Sequence, residues 1–153
     1  MRNINLSIHW GHDSSLCLSN DEKIIGFLEV ERMNRIKSFG FKYGWRNSDD
    51  NKNFDFIVSN FLKKFGYSKS EINRVALIRT HRGDEIPKPI SETFKNVDYF
   101  FFDHHEAHAA VGHYSSPFKK SIILTMDGGG NDGGLGFFLG EEENIEKIRT
   151  IGD

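Results

Sequence analysis

Residues 121–134 read SIILTMDGGGNDGG: an apolar run of strand length, an aspartate, three glycines, then an Asn-Asp-Gly-Gly turn. Ser121 to Met126 reads as a buried-type strand, a short apolar run bounded by turn signals. It puts Asp127 at a strand terminus, where functional side chains collect in sheet folds. Asn131-Asp132-Gly133 is ordinary hairpin chemistry and accounts for Gly133. It does not account for Gly128, Gly129 and Gly130. Lacking Cβ atoms, these three let a ligand approach the backbone closely, and their successive N–H groups can hold an anion. No Gly-Lys-Ser/Thr follows, which excludes a Walker loop. Leu135 to Leu139 reads as another strand and not a helix, which excludes a Rossmann turn.

Upstream, residues 104–108 read HHEAH. Asp103 is placed to cap a helix running through Ala107, Ala109, Ala110 and Val111 and ended by Ser115-Ser116-Pro117. On that helix His104 and His108 share one face, four residues apart, close enough to close on one divalent ion. The order differs from HExxH, where glutamate directly follows the first histidine and serves as the base on zinc, so a zinc protease is a poor reading. In isolation, HxxxH reads better as a solvated histidine pair capping a helix turn. The small alanines and the nearby aspartate at a strand end favour a metal site of His104, His108 and Asp127. Mixed nitrogen and oxygen donors suit Fe, Mn or Zn better than copper, and three protein ligands leave a coordination position open. His105 lies on another face, as a support to the ligands, a phosphate contact, or neither.

The rest of the chain reads as strands at Ile4–Ile8, Leu16–Leu18 and Ile24–Val30, two hairpins with a polar turn at His9–Ser15. Glu29–Lys37 is charged and opens a short helix or lines a groove. Ser38–Asn53, with Trp45, is an irregular loop. Phe54, Ile57, Val58, Phe61, Leu62 and Phe65 mark an amphipathic helix stopped by Gly66. Val75–Ile78 is a strand, Thr80–Pro89 a loop, and Val97–Phe102 and Ile145–Ile151 strands. Early hairpins followed by alternation predict an α/β fold, a mixed sheet with flanking helices. The turn Gly11-His12-Asp13-Ser14-Ser15 is a plain polar hairpin or, with the glycine loop, half of a phosphate clamp.

Composition sets the frame. The 153 residues are 37% hydrophobic and 27% charged, enough for one globular domain with a core. A net charge of -2 gives no reason to expect a nucleic-acid partner. No apolar run approaches a membrane span or a signal peptide, and the single cysteine, Cys17, reads as a small core residue. A reducing, cytoplasmic setting fits. The 14 phenylalanines lend weight to packing against a further chain.

Taken in order, HDSS at His12–Ser15, the segment with Glu29, Glu31, Arg32, Arg35 and Lys37, then HHEAHAA (104–110), SSPF (115–118) and MDGGG (126–130) resemble the N-terminal part of the nodulation and antibiotic-tailoring O-carbamoyltransferases. That family is related to the tRNA threonylcarbamoyl-transfer proteins. Met33 stands where Phe is usual in the family. The resemblance implies an actin-like ATPase (ribonuclease H-like) first lobe over 1–153, with a second lobe and a carbamoyladenylate-forming domain outside this chain. It implies iron or another divalent metal on His104, His108 and Asp127, with a fourth aspartate from elsewhere. It implies Gly128, Gly129 and Gly130 facing nucleotide phosphates, with Asn131 and His105 counted beside them. The implied chemistry makes carbamoyladenylate from carbamoyl phosphate and ATP, then passes the carbamoyl group to a hydroxyl acceptor, a sugar or natural product. His12 and Asp13 are the candidate catalytic residues, orienting the acceptor or binding phosphate. As this chain alone, activity is not expected. The alternative is a non-catalytic metal- or nucleotide-binding subunit, or a structural fragment, that needs a partner chain.

Overall fold

A computed structural model describes residues 3–41, 54–79, 85–128 and 133–152. The backbone groups into two compact units, Met1–Ile78 with Asp84–Phe101, and Arg79–Gly83 with Phe102–Asp153, where the sequence reading treats the chain as one domain.

The first unit is built on a five-stranded sheet in the order β3-β2-β1-β4-β5. Its strands are β1 (Ile4–His9), β2 (Ser15–Asn20), β3 (Ile24–Glu29), β4 (Arg74–Arg79) and β5 (Asp98–Asp103). β1 and β2 pair antiparallel from Ile4↔Asn20 to His9↔Ser15, and β2 and β3 likewise, with a register shift at Leu18/Ser19. β4 lies parallel to β1, Asn5↔Arg74 through His9↔Ile78, so the sheet is mixed, as expected. A parallel neighbour requires a crossover. That crossover carries α2 (Phe54–Lys64), whose buried Phe54, Ile57, Val58, Phe61 and Leu62 fall at i, i+3, i+4, i+7 and i+8. They meet buried Leu6, Ile8, Leu16, Leu18, Val75 and Leu77 of the sheet. Gly66, at φ +81, closes the helix as the sequence predicts.

The HDSS turn is anchored by Ser14, 1% exposed. Its hydroxyl donates to the Gly11 carbonyl (2.6 Å) and accepts the Phe41 N–H (3.0 Å), while its own N–H donates to the Phe39 carbonyl (2.7 Å). Phe39 and Phe41 are therefore core residues, packed with Trp10 and Phe54. The remainder of the expected loop, 42–53, lies outside the described residues, as do 80–84 of the second one. The acidic-basic segment forms α1 (Val30–Asn34). One short helix, α3 (Lys88–Thr93), departs from the loop expected over Thr80–Pro89. Prolines there look like breakers, but a missing N–H costs nothing in a first turn, where that donor has no partner anyway. Buried Ile90 holds α3 in place.

The second unit packs α4 (His104–Tyr114) on a three-stranded antiparallel sheet of β6 (Lys120–Met126), β7 (Leu135–Glu141) and β8 (Asn144–Ile151). β6 is an edge strand, with Ile122, Leu124 and Met126 at 80%, 60% and 81% exposure. The buried-strand expectation holds for one face only. Ser121, Ile123 and Thr125 turn toward α4, and the alternate residues turn away from it.

Candidate metal centre

α4 starts where Asp103 accepts the His105 N–H (2.7 Å) and Glu106 reaches back to accept the Asp103 N–H (3.0 Å). This reciprocal capping box satisfies two otherwise orphaned donors and ties Glu106 to the helix start. With the helix fixed, His104 and His108 project from one face to the end of β6. His104 Nε2 lies 2.5 Å and His108 Nε2 3.3 Å from Asp127 Oδ2, and the two ring nitrogens are 3.1 Å apart. The rings stand perpendicular, their centroids 4.6 Å apart.

The three donors fit a divalent ion. Bonds of about 2.0–2.2 Å to nitrogen and oxygen imply ligand atoms roughly 3.0–3.4 Å apart. Two of the three separations already have that value. The third is a hydrogen bond that an ion would replace with a small outward shift. The group is accessible yet anchored: His104 is 9% exposed, Asp127 and His108 more so. Hydrogen bonding from His104, then the Gly128 N–H, the nearby His104 charge and His108, pull the Asp127 carboxyl down to about 2, against a smaller opposing effect of burial. It is therefore an anionic ligand across the neutral range. Among the described residues this is the one group of three such side chains placed to hold a metal.

The other candidates are placed differently. His105 is fully buried: Nε2 donates to the Gly133 carbonyl (2.8 Å), and Nδ1 accepts the Thr125 hydroxyl (2.8 Å). Neither nitrogen is left for a phosphate. Gly128 turns its N–H onto Asp127 Oδ1 (2.6 Å), so that donor serves the aspartate. Gly129, Gly130 and Asn131 lie outside the described residues. Gly133, at φ +136, is required as glycine because a Cβ would run into the backbone of Ile151 and Gly152. His12 and Asp13 belong to the first unit. They are solvent-exposed and bonded to each other, Nδ1 to Oδ2 at 2.7 Å, with Asp13 in the left-handed region at φ 56. Met33, at the position that departs from the family pattern, is 38% exposed and lines a cleft of ≈ 400 Å³ with Phe27, Phe61 and Lys64.

Sequence reasoning missed the residues that seat α4 on the sheet. Thr125, Gly136, His113, Ser121 and Gly140 repeat one arrangement twice. His113 Nδ1 meets Ser121 Oγ (2.7 Å), and Nε2 donates to the Glu142 carbonyl (3.0 Å). A Cβ at Gly140 would strike the His113 ring, and one at Gly136 would strike Thr125 Oγ1 and the Phe138 ring, with His105 Cβ close by at 3.2 Å. The signal was present in the spacing: histidines eight apart on α4, hydroxyls four apart on β6, glycines four apart on β7.

No family model matches the chain. It is 26% identical over 147 residues to the uncharacterized protein MJ1051 of Methanocaldococcus jannaschii, covering 94% of this chain but only 26% of that protein. The chain thus spans about a quarter of the length of the curated relative it matches. Among solved structures it is similar to YeaZ from Pseudomonas aeruginosa (TM-score 0.49, 8% identity, 97% of this chain and 65% of that one). It is also similar to an uncharacterized protein with similarity to peptidase YeaZ from the same organism (TM-score 0.48, 8% identity, 97% and 64%).

These findings correct the functional expectation. The two solved structures are described as YeaZ and as a protein with similarity to YeaZ, and neither is described as a carbamoyltransferase. The O-carbamoyltransferase reading, its enzyme assignment and its substrates are withdrawn. What stands is an α/β fold with a mixed sheet and flanking helices, carrying a His-His-Asp group that could chelate a divalent metal. No helix among the described residues is long and apolar enough to cross a membrane.

Proposed function

We propose that the chain is a non-catalytic, metal-binding subunit that works with a partner chain. The observation that carries this is the convergence of His104, His108 and Asp127, with donor atoms all within 4.8 Å of one another. Iron(II) is the proposed ion, with Mn or Zn as its competitors for two imidazoles and a carboxylate. Three protein donors leave coordination positions to be filled from outside, and an aspartate of the partner is the proposed source. Support for a partner comes from the outer face of the second unit's sheet. There Ile122, Leu124 and Met126 are joined by Leu139 and Ile151, both 40% exposed. Contiguous apolar surface of this kind marks an interaction site more often than a free surface. The actin-like first-lobe architecture and a cytoplasmic setting are proposed with this reading, and the mixed sheet and single cysteine are compatible with them. A nucleotide role for Gly129, Gly130 and Asn131 is retained only as a secondary proposal.

Anaerobic calorimetry with Fe(II), Mn(II) and Zn(II) tests the reading. Wild type is expected to bind one equivalent. The double variant His104→Ala/His108→Ala is expected to lose at least ~100-fold in affinity. Equal binding by both proteins would remove the metal-site reading.

A further inference from the structure

The support under the metal centre is one of two copies of the same device. His105, Ala109 and His113 form one stripe on α4, at i, i+4 and i+8, and all three are buried. Thr125, Ile123 and Ser121 form the facing stripe on β6, paired in register with Gly136, Phe138 and Gly140 of β7. Eight residues of helix rise about 12 Å and four of strand about 13 Å, so the two stripes stay matched along their length. At each end a histidine bridges a β6 hydroxyl and a backbone carbonyl: Thr125 and Gly133 at one end, Ser121 and Glu142 at the other.

The two ends differ in what lies next to them. The carbonyl held by His105 belongs to Gly133, whose neighbour Gly134 accepts the Asp127 N–H through its own carbonyl (3.0 Å). The hydroxyl held by His105 belongs to Thr125, two residues before Asp127. Thus His105 grips both legs of the β6–β7 connection at the point where Asp127 leaves the sheet. The carbonyl held by His113 belongs to Glu142, at the opposite end of β7.

We propose that His105 is a positioning residue for the metal centre. By bridging Thr125 and the Gly133 carbonyl it fixes the strand end that carries Asp127 against His104 and His108, without touching the ion. Its twin, His113, supplies packing alone. This rests on the metal-site reading above and deepens it. The role differs from a general contribution to folding, because only one of two chemically equivalent bridges should alter the ion's surroundings.

Co(II), whose visible absorption reports coordination number and donor type, is the probe. It is titrated into the full chain as wild type, Thr125→Val, Thr125→Ser and Ser121→Ala, with thermal unfolding followed in parallel. Thr125→Val is expected to weaken Co(II) binding ~10–100-fold, the range for residues that orient metal ligands, and to change the absorption spectrum. Thr125→Ser, which keeps the hydroxyl, is expected to restore both. Ser121→Ala is expected to lower the melting temperature comparably while keeping wild-type affinity and spectrum. If Thr125→Val binds like wild type, or if it and Ser121→Ala lose affinity equally, the positioning role is overturned. If wild type itself gives no saturable Co(II) spectrum, the metal reading fails first and the proposal falls with it.

Discussion

Asp127 shows how one residue is made into a ligand by its neighbours. Its oxygens are divided: Oδ2 faces both imidazoles and Oδ1 takes the Gly128 N–H. These bonds favour the charged form, which is why its carboxyl sits near 2. A lowered carboxylate pKa stabilises the folded state above the unfolded value, about 3.9, and that stability is lost as the pH falls through about 2. The melting temperatures of wild type and Asp127→Asn in metal-free buffer are therefore expected to differ at pH 7, to differ still at pH 5, and to converge only toward pH 2. A second residue-scale prediction concerns Gly140. A Cβ there would strike the His113 ring, so Gly140→Ala is expected to cost about 1–3 kcal/mol as overpacking, read by denaturant unfolding. Cys17, expected as a core residue, is instead half-buried on the sheet face opposite Leu16 and Leu18, where burial pushes its pKa up.

At the scale of elements, α2 and α4 show what a sequence discloses and what it withholds. The 3.6-residue period of Phe54, Ile57, Val58, Phe61 and Leu62 fixed the buried face of α2, because apolar residues on a helix have nowhere else to go. The start of α4 was legible in Asp103, and His104 and His108 were legible as one face. Their approach to Asp127 was legible only as an expectation, since spacing says nothing about which strand end lies opposite. His105 could not be placed from spacing. Adjacent helix positions differ by about 100°, and which one meets the sheet depends on the Thr125 hydroxyl and the Gly133 carbonyl lying opposite it. The sequence of β6 concealed its edge position because its apolar set, Ile122, Leu124 and Met126, is the exposed one, while the face toward α4 carries the hydroxyls of Ser121 and Thr125 beside Ile123. The capping box gives the prediction for this scale: Asp103→Ala is expected to cost about 0.5–2 kcal/mol, measured by thermal unfolding.

For the molecule as a whole, the second unit carries its metal donors on a scaffold whose other face is unfinished. α4 covers one side of the three-stranded sheet, and Ile122, Leu124 and Met126 stand out from the other. The 14 phenylalanines pointed to additional packing, yet much of that packing is internal, in the cluster of Trp10, Phe39, Phe41 and Phe54. The exposed face is aliphatic instead. Replacing Ile122 and Leu124 by lysine is expected to leave metal affinity unchanged while reducing both binding of a hydrophobic dye and concentration-dependent association. Unchanged dye binding would show that this face is not the sticky surface. The central claim is the identity of the ligands, and X-ray absorption at the zinc edge on the one-to-one zinc complex tests it most directly. The expected first shell contains two imidazole nitrogens and one carboxylate oxygen at about 2.0–2.2 Å, completed by lighter oxygen donors, and it loses one imidazole in His108→Ala. A shell without imidazole, or one that His108→Ala leaves intact, would contradict it.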